Sequence, residues 1–175
     1  MDSNITLRLL EERDIPVIYS SFEKAGWHRP PLLLENYLFE QEKGNRTVIV
    51  AYLRVEFAGY VTIKWKSDYP PFAEKGIPEI VDLNVLPPFQ RRRIASALVD
   101  KAEELIYKRS PIVGIGVGLY ADYGPAQRMY VRRGYIPDTL GVAYKGVHAK
   151  PGQSLPVDDD LVLYFTKERM ESSGI

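Results

Sequence analysis

The sequence predicts an α/β sandwich: one twisted mixed sheet with helices on both faces. Three observations carry this. Segments rich in β-branched and aromatic residues alternate with stretches of helical apolar spacing. Residues 77–86, 92–109 and 112–120 read strand, crossover helix, strand, which suggests a parallel pair inside a mixed sheet. The order β α α β β β α β α β β runs through without internal repeat, low-complexity tract or linker. A single domain over residues 1–175 is expected from that length.

Taken in order, Ile5, Leu7 and Leu9 alternate with polar residues, a first strand with one buried face. Asp14 offers a helix N-cap with Pro16 in the first turn, and Ile15, Ile18, Tyr19 and Phe22 form one apolar stripe that Gly26 ends. Pro30-Pro31 starts a short helix to about Gln41, and Gly44-Asn45 turns the chain. Thr47–Val55 and Tyr60–Trp65 form a hairpin, with a turn or bulge at Glu56–Gly59. Ser67–Gly76, with its prolines, is a loop, and Ile77–Leu86 is a strand closed by Pro87-Pro88. Over Arg92–Arg109, Ile94, Leu98, Ala102, Leu105 and Ile106 share a stripe opposite most of the charges, which is a helix. Ile112–Tyr120 is a strand containing Gly114, Gly116 and Gly118. Pro125 opens a short helix that Gly134 closes. Tyr135–Tyr144 and Leu161–Thr166 are the last strands, separated by a polar loop, Lys145–Asp160.

Composition excludes several functions. There is no cysteine, hence no disulfide, cysteine nucleophile, thiolate zinc site or iron–sulfur cluster. Two histidines, His28 and His148, argue against a multi-histidine metal centre, and no metal is expected. Lys plus Arg equals Asp plus Glu at 23 each, so net charge does not indicate a nucleic-acid binder. No apolar run reaches the roughly 18 residues of a membrane span, and Met1–Leu10 lacks the basic-then-apolar pattern of a secretory signal. A cytoplasmic protein without membrane attachment is the expectation.

The densest chemical signal is Glu79–Leu98: a strand, a short basic loop and a helix start. Unpaired N–H groups and the positive end of a helix dipole meet Arg91, Arg92 and Arg93 there, which suits a phosphate or pyrophosphate. The alternative reading is a solvated arginine cluster. Gln90, Arg93 and Ala95 occupy the defined positions of Gln/Arg-x-x-Gly-x-Gly/Ala, with Arg93 in the place of the central glycine. Ala126, Tyr130, Gly134 and Tyr135 follow a second pattern, Asn-x-x-Ala-x-x-x-Tyr-x-x-x-Gly-Phe, with Tyr123 in the place of the asparagine. In these motifs, and in the element order from Ile5 to Thr166, the chain resembles the GNAT superfamily of acyl-CoA-dependent N-acetyltransferases.

The resemblance implies a mostly antiparallel sheet with a central parallel pair that splays around the pantetheine arm of acetyl-CoA, the co-substrate. It assigns backbone contacts with that arm to Leu83, Asn84 and Val85. It assigns the pyrophosphate to Gln90, Arg91, Arg92, Arg93, Ile94, Ala95 and Ser96, and further cofactor contacts to Tyr123 and Ala126. An amine then attacks the thioester carbonyl. Glu79 is the candidate base and Asp82 its rival; strand alternation puts the two on opposite sides. Tyr130 is the candidate acid, although Ala126, Met129 and Tyr130 also read as a packing face. Transfer from a reference phenol to a reference thiolate is uphill by roughly 2 kcal/mol, so a hydrogen bond to sulfur competes with full transfer. Tyr120 and Tyr123 are weaker donors. Trp27, His28, Tyr144 and the loop with Asp158, Asp159 and Asp160 are candidates for the acceptor's surroundings. Arg128, Arg132 and Arg133 read as an exposed helix face.

The expected reaction is transfer of acetyl to the primary amine of a small-molecule acceptor. A protein or peptide acceptor, a non-catalytic acyl-CoA-binding module and an RNA-binding α/β domain are the alternatives. A homodimer enters as an expectation because many members of the superfamily dimerise.

Overall fold

The computed structural model describes residues 4–170. The reading of Met1–Leu10 against a secretory signal starts in residues 1–3, outside the described residues. In chain order the elements are β1 (Ile5–Leu9), α1 (Asp14–Lys24), α2 (Leu33–Glu42), β2 (Arg46–Leu53), β3 (Glu56–Lys64), α3 (Pro70–Lys75), β4 (Glu79–Val85), α4 (Ile94–Ile106), β5 (Ile112–Gly118), α5 (Gly124–Arg132), β6 (Ile136–Tyr144), β7 (Val147–His148) and β8 (Leu161–Glu168). They form two compact units. One runs to Trp65 and resumes over Ile80–Leu105; the other joins Lys66–Glu79 to the chain from Ile106 onward.

In the first unit the strands neighbour in the order β1-β2-β3-β4. Pairing is antiparallel, Ile5 opposite Leu53 and Arg46 opposite Lys64. It continues so into β4, where the Leu86 amide donates to the Ala58 carbonyl (2.9 Å) and the Thr62 hydroxyl to the Val81 carbonyl (3.2 Å). The β2–β3 turn is Arg54-Val55, with Arg54 left-handed at φ 57°, so Glu56–Gly59 lies in the strand and the bulge falls between Ala51 and Tyr52. The predicted stripe of α1 is correct: Ile15, Ile18 and Phe22 are buried, on Leu34, Val48 and Tyr60. Burying each such side chain stabilises by roughly 1.5–3 kcal/mol.

Two local expectations change. Asp14 does not cap α1; it is the first helical residue, 1% exposed. Its carboxylate accepts two hydrogen bonds from Arg8 (both 2.6 Å), one from the Tyr52 hydroxyl (2.7 Å) and one from the Glu11 amide (2.9 Å). A tertiary ion pair has won over local capping. Helix α2 starts later than Pro30-Pro31, after Leu32 takes a left-handed turn at φ 61°.

In the second unit the order is β5-β8-β6-β7, antiparallel throughout. Strand β6 leaves its register with β8 between Pro137 and Val142. The loop predicted at Ser67–Gly76 contains α3, because Pro70 and Pro71 occupy first-turn positions where a missing N–H costs nothing, and Gly76 at φ 64° stops it. The loop predicted at Lys145–Asp160 contains β7. The three glycines of β5 make room for rings: a Cβ on Gly114 would strike Phe72, on Gly116 Tyr164, and on Gly118 Tyr123. Among the described residues, no helix is long and apolar enough to cross a membrane.

Candidate active site

The basic loop after β4 has an anion-binding shape. A 3-10 turn, Pro87–Phe89, leads to an extended Gln90, whose side-chain amide folds back on the Val85 carbonyl (3.1 Å). Arg91 (φ 60°) and Arg93 (φ 62°) are left-handed, while Arg92 between them is not. Alternation of this kind turns successive N–H groups toward one concave side, a nest for an anion. Helix α4 then starts at the buried Ile94, with Ala95 and Ser96 half-buried in a first turn whose N–H groups have no partner within the helix. All three arginines are exposed. Arg93 adopts the positive φ that glycine supplies without strain, so the loop keeps the glycine form at a cost of about 1 kcal/mol. The backbone shape and the added charge both fit a pyrophosphate.

Asp82 makes a left-handed step (φ 55°) in the middle of β4. Aspartate tolerates this better than most residues. The step is locked from all sides. Asp82 Oδ2 accepts from the Tyr60 hydroxyl (2.5 Å) and the Tyr37 hydroxyl (3.0 Å), and Oδ1 accepts from the Asn84 amide (2.7 Å). Arg29 stands 3.8 Å from Oδ1, donates to the Asn84 side-chain carbonyl, and lies 4.6 Å over the Phe22 ring. Burial, then the Asp82 charge, pushes the Tyr60 and Tyr37 phenols far above their usual range. Beside the step, β3 needs Gly59, since a Cβ there would run into the Asn84 carbonyl. Leu83, Asn84 and Val85 follow half-buried.

Glu79 has different surroundings. It is 6% exposed and accepts from the Ser67 hydroxyl at 2.5 Å. Ser67 in turn accepts the Tyr69 amide (2.9 Å). The Tyr69 ring stacks on Tyr164 at 3.6 Å, its hydroxyl donates to Asp138 (2.8 Å), and His148 Nε2 lies 2.7 Å from the same oxygen. Burial and then Glu79 raise the Tyr164 phenol; burial and then Asp138 raise that of Tyr69.

Tyr130, on α5, is 5% exposed, its ring 5.8 Å from Tyr135. Burial pushes its phenol up to about 12. Ala126 is half-buried on the same helix. Tyr123 covers Gly118 and donates to Asp159 (2.8 Å), as does Tyr120. Those two hydrogen bonds lower the Asp159 carboxyl below its usual range.

Residues 13–135 match the Acetyltransferase (GNAT) family. This chain belongs to the GNAT acetyltransferase family. The family's acetyl donor is acetyl-CoA. No curated protein matches the chain. Several solved structures share its fold. One is a Salmonella typhimurium acetyl transferase that modifies the N-terminal serine of a 50S ribosomal subunit protein (TM-score 0.70, 12% identity, 95% of each chain covered). Another is a spermidine N-acetyltransferase SpeG chimera from Vibrio cholerae and hSSAT (0.67, 15%, covering 95% of this chain and 96% of that one). A third is Salmonella typhimurium yncA, solved with its cofactor acetyl-CoA (0.66, 15%, 98% of each).

Seen as a GNAT member, the chain keeps the basic loop intact and gathers its sequence-marked residues unevenly. Gln90 to Ser96 form one continuous feature, and Asp82 to Val85 another. Trp27 packs on Phe22 (5.7 Å) in the core of its unit, whereas His28 is exposed. Tyr144 donates to Asp158 (3.0 Å), and Lys145 pairs with Asp160 at 3.7 Å. Arg128 and Arg132 are exposed as expected, whereas Arg133, at the C-terminal end of α5, is half-buried and leaves that face. Arg29, Tyr37, Tyr60, Ser67 and Tyr69 were not marked in the sequence. The single available signal was their polar character inside segments that otherwise read as core or turn.

Proposed function

We propose that this protein transfers the acetyl group of acetyl-CoA to the primary amine of a small-molecule acceptor by direct attack. The observation that carries the reading is the loop of Gln90–Arg93, with two left-handed arginines at the start of α4. In this reading the N–H groups of Gln90 to Ser96 hold the pyrophosphate, and the backbone of Leu83 to Val85 takes the pantetheine arm. Tyr123 and Ala126 flank the cofactor in the same reading.

Glu79 is the base. Asp82 has its oxygens occupied by Tyr60, Tyr37 and Asn84, with Arg29 beside them, so an amine would have to displace one of these donors to reach it. Glu79, buried and facing the Ser67 hydroxyl, is the carboxylate we assign to the chemistry. A Tyr130 phenol near 12 lies about 5 kcal/mol uphill of a thiolate near 8.5. Tyr130 therefore serves as a hydrogen-bond donor to the leaving sulfur rather than as a full acid. A small acceptor is supported by the open groove of about 630 Å³ bordered by Tyr144, Val147, His148 and Lys150, a size typical of small-molecule sites.

The test is calorimetric titration with acetyl-CoA at two salt concentrations, followed by thiol release with a polyamine, an aminoglycoside and a peptide bearing a free N-terminus. Micromolar binding that weakens with salt, and turnover with one of the small amines, is the expected result. Absence of binding at millimolar acetyl-CoA would sink the reading. Turnover with the peptide alone would replace the small acceptor with a protein one.

A further inference from the structure

We propose that Ser67 is a positioning residue for Glu79, itself held by a Tyr69 side chain anchored on Asp138 and His148. The inference rests on the reading of Glu79 as the base.

The hydrogen-bond inventory fixes the direction of the Ser67 hydroxyl. It has one proton to give. The Tyr69 amide donates to Ser67 Oγ (2.9 Å), so that side of the oxygen is an acceptor, and the proton points to Glu79 Oε2 at 2.5 Å. Ser67 is 3% exposed, which keeps water from competing. A donor fixed in this way holds one edge of the carboxylate in place and favours its charged form.

The turn that carries Ser67 is equally constrained. Tyr69 precedes Pro70 and Pro71, which lock the next two φ angles at the start of α3. Its ring, 1% exposed, lies flat on Tyr164 (3.6 Å) and edge-on to Phe72 (4.9 Å). Its hydroxyl donates to Asp138 on β6, and His148 on β7 reaches the same oxygen with Nε2. Four elements, α3, β6, β7 and β8, thereby fix the peptide that fixes Ser67. Among the groups that act electrostatically on this cluster are Asp68, Asp138, His148 and the phenols of Tyr69 and Tyr164.

The experiment is carboxyl-carbon NMR of the full chain labelled in glutamate side chains, with the Glu79 signal identified by its loss in Glu79→Gln. In Ser67→Ala the Glu79 midpoint is expected to rise by about one pH unit, and Ser67→Thr to return it toward the wild-type value. Tyr69→Phe keeps the ring stack, loses the anchor to Asp138 and His148, and shifts the midpoint the same way by less. Under turnover with acetyl-CoA, the acid limb of kcat moves with the midpoint while KM for acetyl-CoA stays. An unmoved midpoint in a Ser67→Ala or Tyr69→Phe protein that melts like wild type overturns the proposal. Glu79→Gln turning over as fast as wild type overturns the base reading itself, whatever the titration shows.

Discussion

Glu79 and Asp82 are separated by two residues on β4, yet the molecule treats their carboxylates in contrasting ways. Asp82 is surrounded by donors: two phenols, an amide and a guanidinium. Its charge is spent on holding a left-handed step in a strand and on compensating the burial of Tyr60 and Tyr37. Glu79 is buried, accepts the Ser67 hydroxyl, and has no left-handed backbone to hold. The lesson is that a carboxylate's task is read from what it holds in place. One that braces a left-handed backbone step is a structural part; in our proposal, one buried against an oriented donor carries the chemistry.

The sharpest way to break this contrast is Glu79→Gln, which preserves shape and removes the proposed base. We expect kcat to fall about 100-fold or more with KM for acetyl-CoA little changed, followed by thiol release. Asp82→Asn is the matching test on the other side. Asparagine accepts the left-handed backbone equally well, so the change isolates the charge. Its amide would face the donors of Asn84 and Arg29, and we expect about 2 kcal/mol less stability in urea unfolding with kcat within about three-fold. If Asp82→Asn folds normally and loses kcat as Glu79→Gln does, the two roles are exchanged.

Asp14 offers a reference for a purely structural carboxylate, because it too is held by an arginine and a tyrosine. Its folded pKa is lowered: burial raises it, and is outweighed by the hydrogen bonds from Arg8, Tyr52 and the Glu11 amide together with the Arg8 charge. Its stabilising contribution is therefore present above the unfolded carboxyl pKa, near 3.9, and is lost as pH falls through the lower folded value. Melting temperature measured from pH 6 down to pH 2 should drop in that window, and Asp14→Asn should flatten the drop. The mildest expected effect is that of Tyr130→Phe. A phenol pushed up to about 12 contributes a hydrogen bond, so kcat should fall by only about ten-fold, with no new limb in the pH profile. A loss as large as that of Glu79→Gln would make Tyr130 a full proton donor.

Much of this was legible in the residues. The strand–loop–helix of Glu79–Leu98 and the helix from Pro125 to Gly134 lie where their periodicity and punctuation put them. The differences arise where a distant partner overrides a local signal or where a local signal went unread. Asp14 looks like a cap and is drawn into an ion pair with Arg8. Ser67–Gly76 looks like a loop, yet Phe72 finds a ring-sized recess over Gly114 and the segment winds into α3. Arg93 looks like a broken glycine motif, yet its backbone adopts the glycine angle.

The sequence alone determined the element order, the basic loop at a helix start, the pair of carboxylates on β4 and the absence of any cysteine chemistry. These depend on spacing within one segment, and a 3.6- or 2-residue period records such spacing directly. Tertiary structure alone decided which donors Asp82 receives, which hydroxyl Glu79 accepts, and that Tyr130 is buried deeply enough to raise its phenol. Those properties are sums over groups remote along the chain, Tyr37 and Tyr60 for Asp82, Tyr69 and His148 for the Ser67–Glu79 pair. Hydrogen bonding and burial act through space, and no periodicity in the chain encodes them.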